Sequence, residues 1–367
     1  MKDEEYMRLA IELAKKGEGY VNPNPMVGAV LVKDDKIIGK GYHAYYGGLH
    51  AERNAINNCR ESVQGACLYV TLEPCCHYGK TPPCVEAIIE SGISKVVIGT
   101  LDVNPKMSGK SIEILKQHSI QVIYGVLEEE CKKLNKVFCK FITTQQPYVI
   151  MKYAMTMDGK VATHANHSKW ISGTQARERV HQTRHAVSAI MVGVQTILQD
   201  DPLLTCRIEN GKNPIRIVCD TNLRTPLTSQ IVKTANSICT YIATTCQDEK
   251  RLAPYREQGC QFIQVGKKES HIDLVELMRI LGSMGMDSVL IEGGAHLNWS
   301  ALHQRIVDEL QVYIAPKIFG GIAKTPVSGE GVEYPDEAIH LNTYAITKIG
   351  EDYLIESEVK YSCLQES

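Results

Sequence analysis

Apolar positions switch between helical and extended spacing along roughly the first 140 residues, as expected of an α/β domain. Tyr6, Met7, Ala10, Ile11 and Ala14 recur at helical spacing, so residues 3–16 read as an amphipathic helix that ends before Gly17. Residues 26–33 and 36–43 are β-rich runs parted by Asp34-Asp35, which predicts an antiparallel hairpin. A helix over 51–59, a strand over 66–72, a loop rich in Pro, Gly and Cys, and a helix starting at Pro83 follow. Strand 95–100, helix 108–118, strand 120–124 and helix 127–140 complete a mostly five-stranded α/β domain.

Polar Thr143-Thr144-Gln145-Gln146 ahead of Pro147 breaks this pattern and places a domain boundary there, dividing the chain into 1–145 and 146–367. Beyond it a strand over 148–155 opens a second alternation. Extended runs at 189–194, 215–219, 238–243, 261–265 and 288–291 are interleaved with helical patterns at 174–185, 248–258, 273–283 and 295–303. Such alternation predicts parallel strands joined by crossover helices. The runs near 310–315, 345–349 and 353–359 read as an antiparallel addition.

Composition narrows the function classes. The chain has 367 residues, enough for two buried cores at roughly 150 residues per domain. Forty basic against forty-two acidic residues give a formal net charge of −2, without the broad basic field that sequence-independent nucleic-acid binding needs. The longest apolar runs, 26–32 and 186–194, fall short of the roughly 20 residues of a membrane span. The opening Met1-Lys2-Asp3-Glu4-Glu5 has no apolar signal core, so a cytoplasmic location is expected. In a reducing compartment most of the 13 cysteines are buried thiols, and the informative ones are those placed for a metal.

The strongest chemical pattern is His50-Ala51-Glu52, followed by Pro74-Cys75-Cys76-His77-Tyr78-Gly79-Lys80-Thr81-Pro82-Pro83-Cys84. Zinc deaminases combine one His and two Cys ligands with an acid that is not a ligand, in this order. Two thiolates and an imidazole leave one coordination position for a water whose pKa falls toward 7. Glu52 would take its proton, let the hydroxide add to an amidine-type ring carbon, and pass protons to the ring nitrogen and to the departing amine. Residues two apart on a helix point to nearly opposite sides, so His50 is expected at the helix start, before the backbone turns helical. Pro83 at the first helical position would put Cys84 in the first turn of the next helix. Chemistry alone leaves open which of Cys75 and Cys76 binds, and a closed structural site with Cys76 or His77 as fourth ligand is the rival reading. That rival has no use for Glu52.

This block resembles the deaminase half of the bifunctional riboflavin-biosynthesis deaminase/reductase family, and the resemblance implies Cys75 together with Cys84 as the thiolate ligands. Nucleic-acid deaminases usually keep two residues between their cysteines, whereas eight lie between these. The longer loop carries His77 and Lys80, a pair suited to a substrate phosphate. Asn22-Pro23-Asn24-Pro25-Met26-Val27-Gly28 resembles the family's opening motif, which implies a base contact at Asn24. A nucleoside or tRNA base deaminase would want a basic face with stacking aromatics. The first domain has no tryptophan and no basic run.

In the second domain, Gly293-Gly294 sits between a strand and the helix from Ala295, leaving backbone N–H groups and a helix dipole free for a pyrophosphate. The G-x-G-x-x-G fingerprint is absent, so a standard Rossmann site is not supported. Arg184 and Arg207 are fork-shaped donors for a phosphorylated substrate. The ordered motifs Met151 to Lys160, Ser168 to Gly173, Thr196 with Asp200-Asp201-Pro202-Leu203-Leu204-Thr205, and Glu292-Gly293-Gly294-Ala295 resemble the family's reductase half.

The resemblance as a whole implies a cytidine-deaminase-like three-layer α/β domain followed by a dihydrofolate-reductase-like α/β domain. It implies zinc and NADPH as cofactors. NADPH contacts are implied at Ala154, Trp170, Thr196, Asp200, Gly294, Ala295, His296, Leu297, Asn298, Trp299 and Ser300. Substrate contacts are implied at Ser168, Arg184, Leu204, Arg207 and Glu292, with Lys152 a further substrate or proton-relay group. The implied chemistry is hydrolytic deamination of 2,5-diamino-6-(ribosylamino)-4(3H)-pyrimidinone 5′-phosphate, then NADPH reduction of the ribosyl group of the aminouracil product to ribityl. Small phosphorylated pyrimidines are thus the expected partners, with no nucleic acid and no membrane, and a homo-oligomer is compatible with the sequence.

Overall fold

A computed structural model describes residues 2–79, 81–104 and 108–361. The chain divides into two compact units, Met1–Gln145 and Gln146–Ser367. Among the described residues no helix is long and apolar enough to cross a membrane.

The first unit runs α1 (Asp3–Ala14), β1 (Gly28–Lys33), β2 (Lys36–Tyr42), α2 (Ala51–Asn57), β3 (Cys67–Leu72), α3 (Cys84–Glu90), β4 (Lys95–Thr100), α4 (Lys110–Gln117), β5 (Gln121–Tyr124), α5 (Glu128–Leu134) and α6 (Lys136–Thr144). Its sheet has the order β2-β1-β3-β4-β5, antiparallel across the first three strands and parallel across the last three. Alternation along β1 divides two cores. Ala29 and Leu31 face α2, α3 and α4 through Ala51, Ala55, Ile88 and Leu115, whereas Val30 and Val32 face Tyr6, Met7 and Ala10 of α1. Three layers result.

The continuous helical pattern over 127–140 is broken in the structure at Asn135, between α5 and α6. Buried Asn135 clasps the backbone of Met26, accepting from its N–H at 2.8 Å and donating to its carbonyl at 2.9 Å. That pair of bonds compensates the interrupted helix and ties down the loop that carries Asn24.

Gly41 of β2 lets α2 approach the sheet. A Cβ there would lie 2.3 Å from the Ala55 nitrogen and 2.4 Å from the Ala51 carbonyl oxygen, both backbone atoms that cannot step aside. Gly41→Ala is expected to destabilise this unit by about 1–3 kcal/mol while leaving the stability of the second unit unchanged. Urea denaturation of the full chain, with the two unfolding transitions followed separately, checks this.

The second unit runs β6 (Tyr148–Thr156), α7 (Thr174–Ala186), β7 (Ala189–Gly193), α8 (Val194–Asp200), β8 (Ile215–Cys219), α9 (Gln230–Lys233), β9 (Thr240–Thr244), α10 (Glu249–Glu257), β10 (Gln261–Gln264), β11 (Lys267–Lys268), β12 (His271–Ile272), α11 (Leu274–Ser283), β13 (Ser288–Ile291), α12 (Ala295–His303), β14 (Glu309–Ala315), β15 (His340–Ile349) and β16 (Asp352–Lys360). Nine strands form one sheet in the order β10-β9-β8-β7-β13-β6-β14-β16-β15. The predicted antiparallel addition needs one correction. β14 pairs parallel with β6 on one side and antiparallel with β16 on the other, so it belongs to both halves.

The chain steps outward from β7 to β10 and then returns to insert β13 between β7 and β6. Ligands in open α/β sheets gather beyond the carboxyl ends of strands at such a reversal. Met191, Ile217 and Ala243 pack on α11 and α12 below the sheet. Ile190, Val192, Val218 and Ile242 pack against Ile197, Ile231 and Leu252 on the other face.

Candidate active sites

In the first unit, His50 is the N-cap of α2 with extended backbone, Cys75 follows β3, and Cys84 is the first residue of α3. Pro83 is therefore the cap and not the first helical residue. Arg53 of α2 donates to the Pro83 carbonyl at 2.8 Å, fastening the loop that delivers Cys84.

His50 Nδ1 lies 3.4 Å from the sulfurs of both Cys75 and Cys84, and the three ligand atoms all fall within 4.8 Å of one another. Cys76 packs partly buried against the core and is not in this cluster. The hydrogen bond from Cys84 pulls the Cys75 thiol down to about 4, while that contact and burial push Cys84 up, so Cys75 is the sulfur that ionises first and Cys84 its donor. This set of one imidazole and two thiols, one already prone to ionise, fits a zinc ion. Glu52, 3 % exposed, sits beside it. Burial and the Cys75 charge raise its carboxyl to about 7, against the lowering effect of His50.

Around this centre the structure adds residues that the sequence pattern missed. His43, just past β2, accepts at Nε2 from the Asn24 amide at 3.2 Å, donates from Nδ1 to the Leu49 carbonyl at 3.0 Å, and stands edge-on to His50 at 5.3 Å. Burial lowers its pKa. Asn24 is thereby held beside the metal-ligand cluster. Buried Glu73 accepts from Asp102 N, Gly109 N and Ser111 Oγ at 3.2, 3.0 and 2.7 Å, setting the loop after β4. A lone histidine and an acid inside a strand-end tetrapeptide carried no pattern by which to find either. His77 is exposed on the Cys75–Cys84 loop, and Lys80 lies outside the described residues.

In the second unit two cavities open beyond the carboxyl ends of the strands. The smaller, about 380 Å³, brings together Lys152, Ala154, Ser168, Arg184, Thr196, Asp200, Arg207, Glu292 and Gly294, with Ala295 and Asn298. The larger, about 730 Å³, is lined by His296, Leu297 and Ser300 of α12, and shares Thr196, Gln199, Gly294, Ala295, Lys324 and Thr325 with the first. Leu204 is buried and lines neither cavity. Trp299 stacks on His303, and Trp170 is exposed under the Arg177 guanidinium, 4.4 Å from its ring centre.

Glu292 organises the smaller cavity. It accepts from Arg184 Nε at 2.6 Å, Arg184 Nη2 at 2.9 Å and Lys152 Nζ at 3.4 Å. Burial alone would raise its carboxyl, but the Arg184 and Lys152 charges outweigh that and hold it at about 2. Arg184 Nη1 donates to the Thr205 carbonyl at 2.9 Å. Three of the five Arg184 N–H groups are thus engaged within the protein, and Arg184 lines the cavity together with Arg207, which is exposed there. Gly293, at φ 92°, takes a left-handed turn that a side chain would strain, and Thr196 Oγ1 accepts from Gly294 N at 3.1 Å.

Residues 1–100 match the cytidine and deoxycytidylate deaminase zinc-binding region, and residues 147–355 match the RibD C-terminal domain. Riboflavin biosynthesis protein RibD of Actinobacillus pleuropneumoniae is 51% identical over 357 residues, covering 97% of this chain and 95% of that one. The chain belongs to the RibD family of riboflavin-biosynthesis proteins. The Escherichia coli RibD protein is 37% identical, over 96% of this chain and 98% of its own. The crystal structure of a diaminohydroxyphosphoribosylaminopyrimidine deaminase/5-amino-6-(5-phosphoribosylamino)uracil reductase from Thermotoga maritima superposes with a TM-score of 0.87 at 39% identity, covering 98% of this chain and 99% of the other. RibD proteins join a zinc-binding deaminase domain to a reductase domain, and this chain is such a bifunctional deaminase and reductase.

Proposed function

We propose that residues 1–145 hydrolyse the 2-amino group of 2,5-diamino-6-(ribosylamino)-4(3H)-pyrimidinone 5′-phosphate, and that residues 146–367 reduce the ribosyl group of the resulting aminouracil with NADPH. The observation that carries the first half is a buried carboxylate, Glu52, beside the His50, Cys75 and Cys84 cluster. These three would hold zinc, which when bound supplies the Lewis acid that makes water a nucleophile at neutral pH. Glu52 would carry one of the water's protons to the ring nitrogen and the other to the departing amine, so that ammonia leaves and the ring keeps a carbonyl oxygen and an N–H. Asn24, steadied by His43, holds the base, and His77 with Lys80 takes the phosphate.

In the second unit NADPH supplies the hydride when bound. The reductant is proposed to lie along the larger cavity, with Thr196, Gly294 and the first turns of α12 against its pyrophosphate, and to reach Ala154 and Asp200 of the adjoining smaller cavity; Trp170 lines neither cavity. Ser168, Lys152 and Arg207 receive the ribosyl phosphate, Glu292 faces the ribosyl hydroxyls, and Ser168 is oriented by its 3.0 Å bond to Asp200. Arg184 bonds Glu292 and Thr205, holding the cavity wall, and faces the anion together with Arg207. A small charged substrate in a reducing cytoplasm suits both the cavity chemistry and the free thiols on the described residues.

The zinc-loaded chain is expected to release ammonia from the diaminopyrimidine and then to oxidise NADPH. A chain that does neither overturns the reading. Cys75→Ser and Cys84→Ser should each lose stoichiometric zinc, whereas Cys76→Ser keeps it, as measured by metal analysis of the purified protein.

A further inference from the structure

We infer that Arg53 is a positioning residue for the metal: by bonding the carbonyls of Pro82 and Pro83 it braces the helix that His50 caps against the helix that opens with Cys84, and so slows the escape of zinc. The inference deepens the zinc reading above and rests on it.

The three ligands stand on three elements, so the site is a triangle whose edges must each be held. Cys75 follows β3, an interior strand with β1 and β4 on either side, and is fixed by the sheet. Helix α2, which His50 caps, lies close on the sheet at Gly41. Cys84 opens α3, a helix of seven residues seated in the core through Val85 and Ile88.

The edge between β3 and α3 is closed by backbone donors. Val85 N donates to the Cys75 carbonyl at 3.2 Å, and Cys84 N to the Cys75 sulfur at 3.3 Å. The edge between α2 and α3 is closed differently. Among the described residues, the hydrogen bonds across it that involve no ligand residue are two from Arg53, Nη2 to the Pro83 carbonyl at 2.8 Å and Nε to the Pro82 carbonyl at 3.3 Å. The Thr81 hydroxyl adds only a 3.5 Å contact to His50 Nε2, at the limit of a hydrogen bond.

The residue types make this brace hard to replace. Pro82 and Pro83 have no N–H, so their carbonyls are the only backbone groups by which this end of the loop can be tied. Arg53 has no acidic partner among the described residues, so its charge is directed at those two acceptors, and a charge-assisted bond is about twice as strong as a neutral one. The neighbouring acid of α3, Glu86, is engaged by Tyr78, whose hydroxyl lies 2.9 Å from both carboxylate oxygens. A guanidinium fork reaches two successive carbonyls at once, whereas an ammonium is a point donor. Zinc leaves such a site when one ligand swings away. With Cys75 set by the sheet and His50 by α2, Cys84 is the ligand that the brace keeps in place.

The test is release of zinc from the full zinc-loaded chain into excess EDTA, with the freed metal measured over time. Arg53→Gln is expected to lose zinc about 10- to 100-fold faster than wild type, the usual cost of removing a residue that orients a metal ligand, and Arg53→Lys to fall between the two. In urea, zinc-free Arg53→Gln should unfold its first unit at the wild-type midpoint, with the deficit present only when zinc is bound. Release from Arg53→Gln at the wild-type rate overturns the inference. So does an equal deficit in the zinc-free chain, which makes Arg53 a general support of the fold. Equally fast release from Tyr78→Phe does so too, because any loosening of the loop would then suffice. A wild-type chain that holds no zinc instead overturns the zinc reading itself.

Discussion

Glu52→Gln is expected to lower the deamination rate about 10³- to 10⁴-fold at full zinc occupancy, while the rate of NADPH consumption with the deaminated intermediate stays unchanged. The amide keeps the shape of a side chain that is 3 % exposed, so the helix carrying it and the His50 cap are retained. What it loses is the capacity to accept a proton from water and return it to a nitrogen. A ligand variant behaves differently, because Cys84→Ser loses metal and deamination together. Ammonia release with parallel zinc analysis separates the two cases. Retained deamination in Glu52→Gln at one zinc per chain would remove Glu52 from the proton path and leave the metal site standing.

That much of the site was readable in advance has a chemical cause. Ligands and a general acid come from few residue types, and His50-Ala51-Glu52 ahead of Pro74-Cys75 and Cys84 puts them in order within 35 residues. Side-chain periodicity likewise marks a strand as half-buried or fully buried, and so revealed the two alternating α/β units. It carries no information on which strand lies alongside, and so the parallel pairing of β14 with β6 was not legible. Asn135 shows a second limit. Its helix break depends on two bonds to Met26, 109 residues away, and local propensity does not register them. Arg184 shows a third. Its pairing with Glu292, 108 residues later, leaves no trace in the local pattern. Residues whose function lies in holding another residue are set by tertiary contact, as with His43 and Glu73, and single-residue chemistry misses them.

Removing Glu292 is expected to have the largest effect in the second unit. Its side chain is 7% exposed, and it is the shared partner of Arg184 and Lys152, whose side chains are 12% and 16% exposed. Glu292→Ala would leave two nearly buried cations facing each other without an anion, a loss of about 3–5 kcal/mol in unfolding of this unit. The Thr205 wall and Lys152 would shift with it, and misplacement of this kind costs reductase activity roughly a hundredfold or more. Deamination should be unaffected. The pH dependence of stability identifies the charge as the cause. Glu292 has its folded pKa lowered from 4.5 to about 2, so it stays ionised in the folded chain under conditions where the unfolded chain has taken up a proton. Its stabilising contribution, on the order of 3 kcal/mol, is complete above the unfolded value and is lost as pH falls through the folded one. The difference in unfolding free energy between wild type and Glu292→Gln should therefore be constant from pH 8 to about pH 5.5 and shrink progressively from about pH 4.5 toward pH 2. Urea melts of the reductase unit at stepped pH measure it, and a difference that stays flat through the acid range would show that shape, and not the ion pair, is what Glu292 contributes.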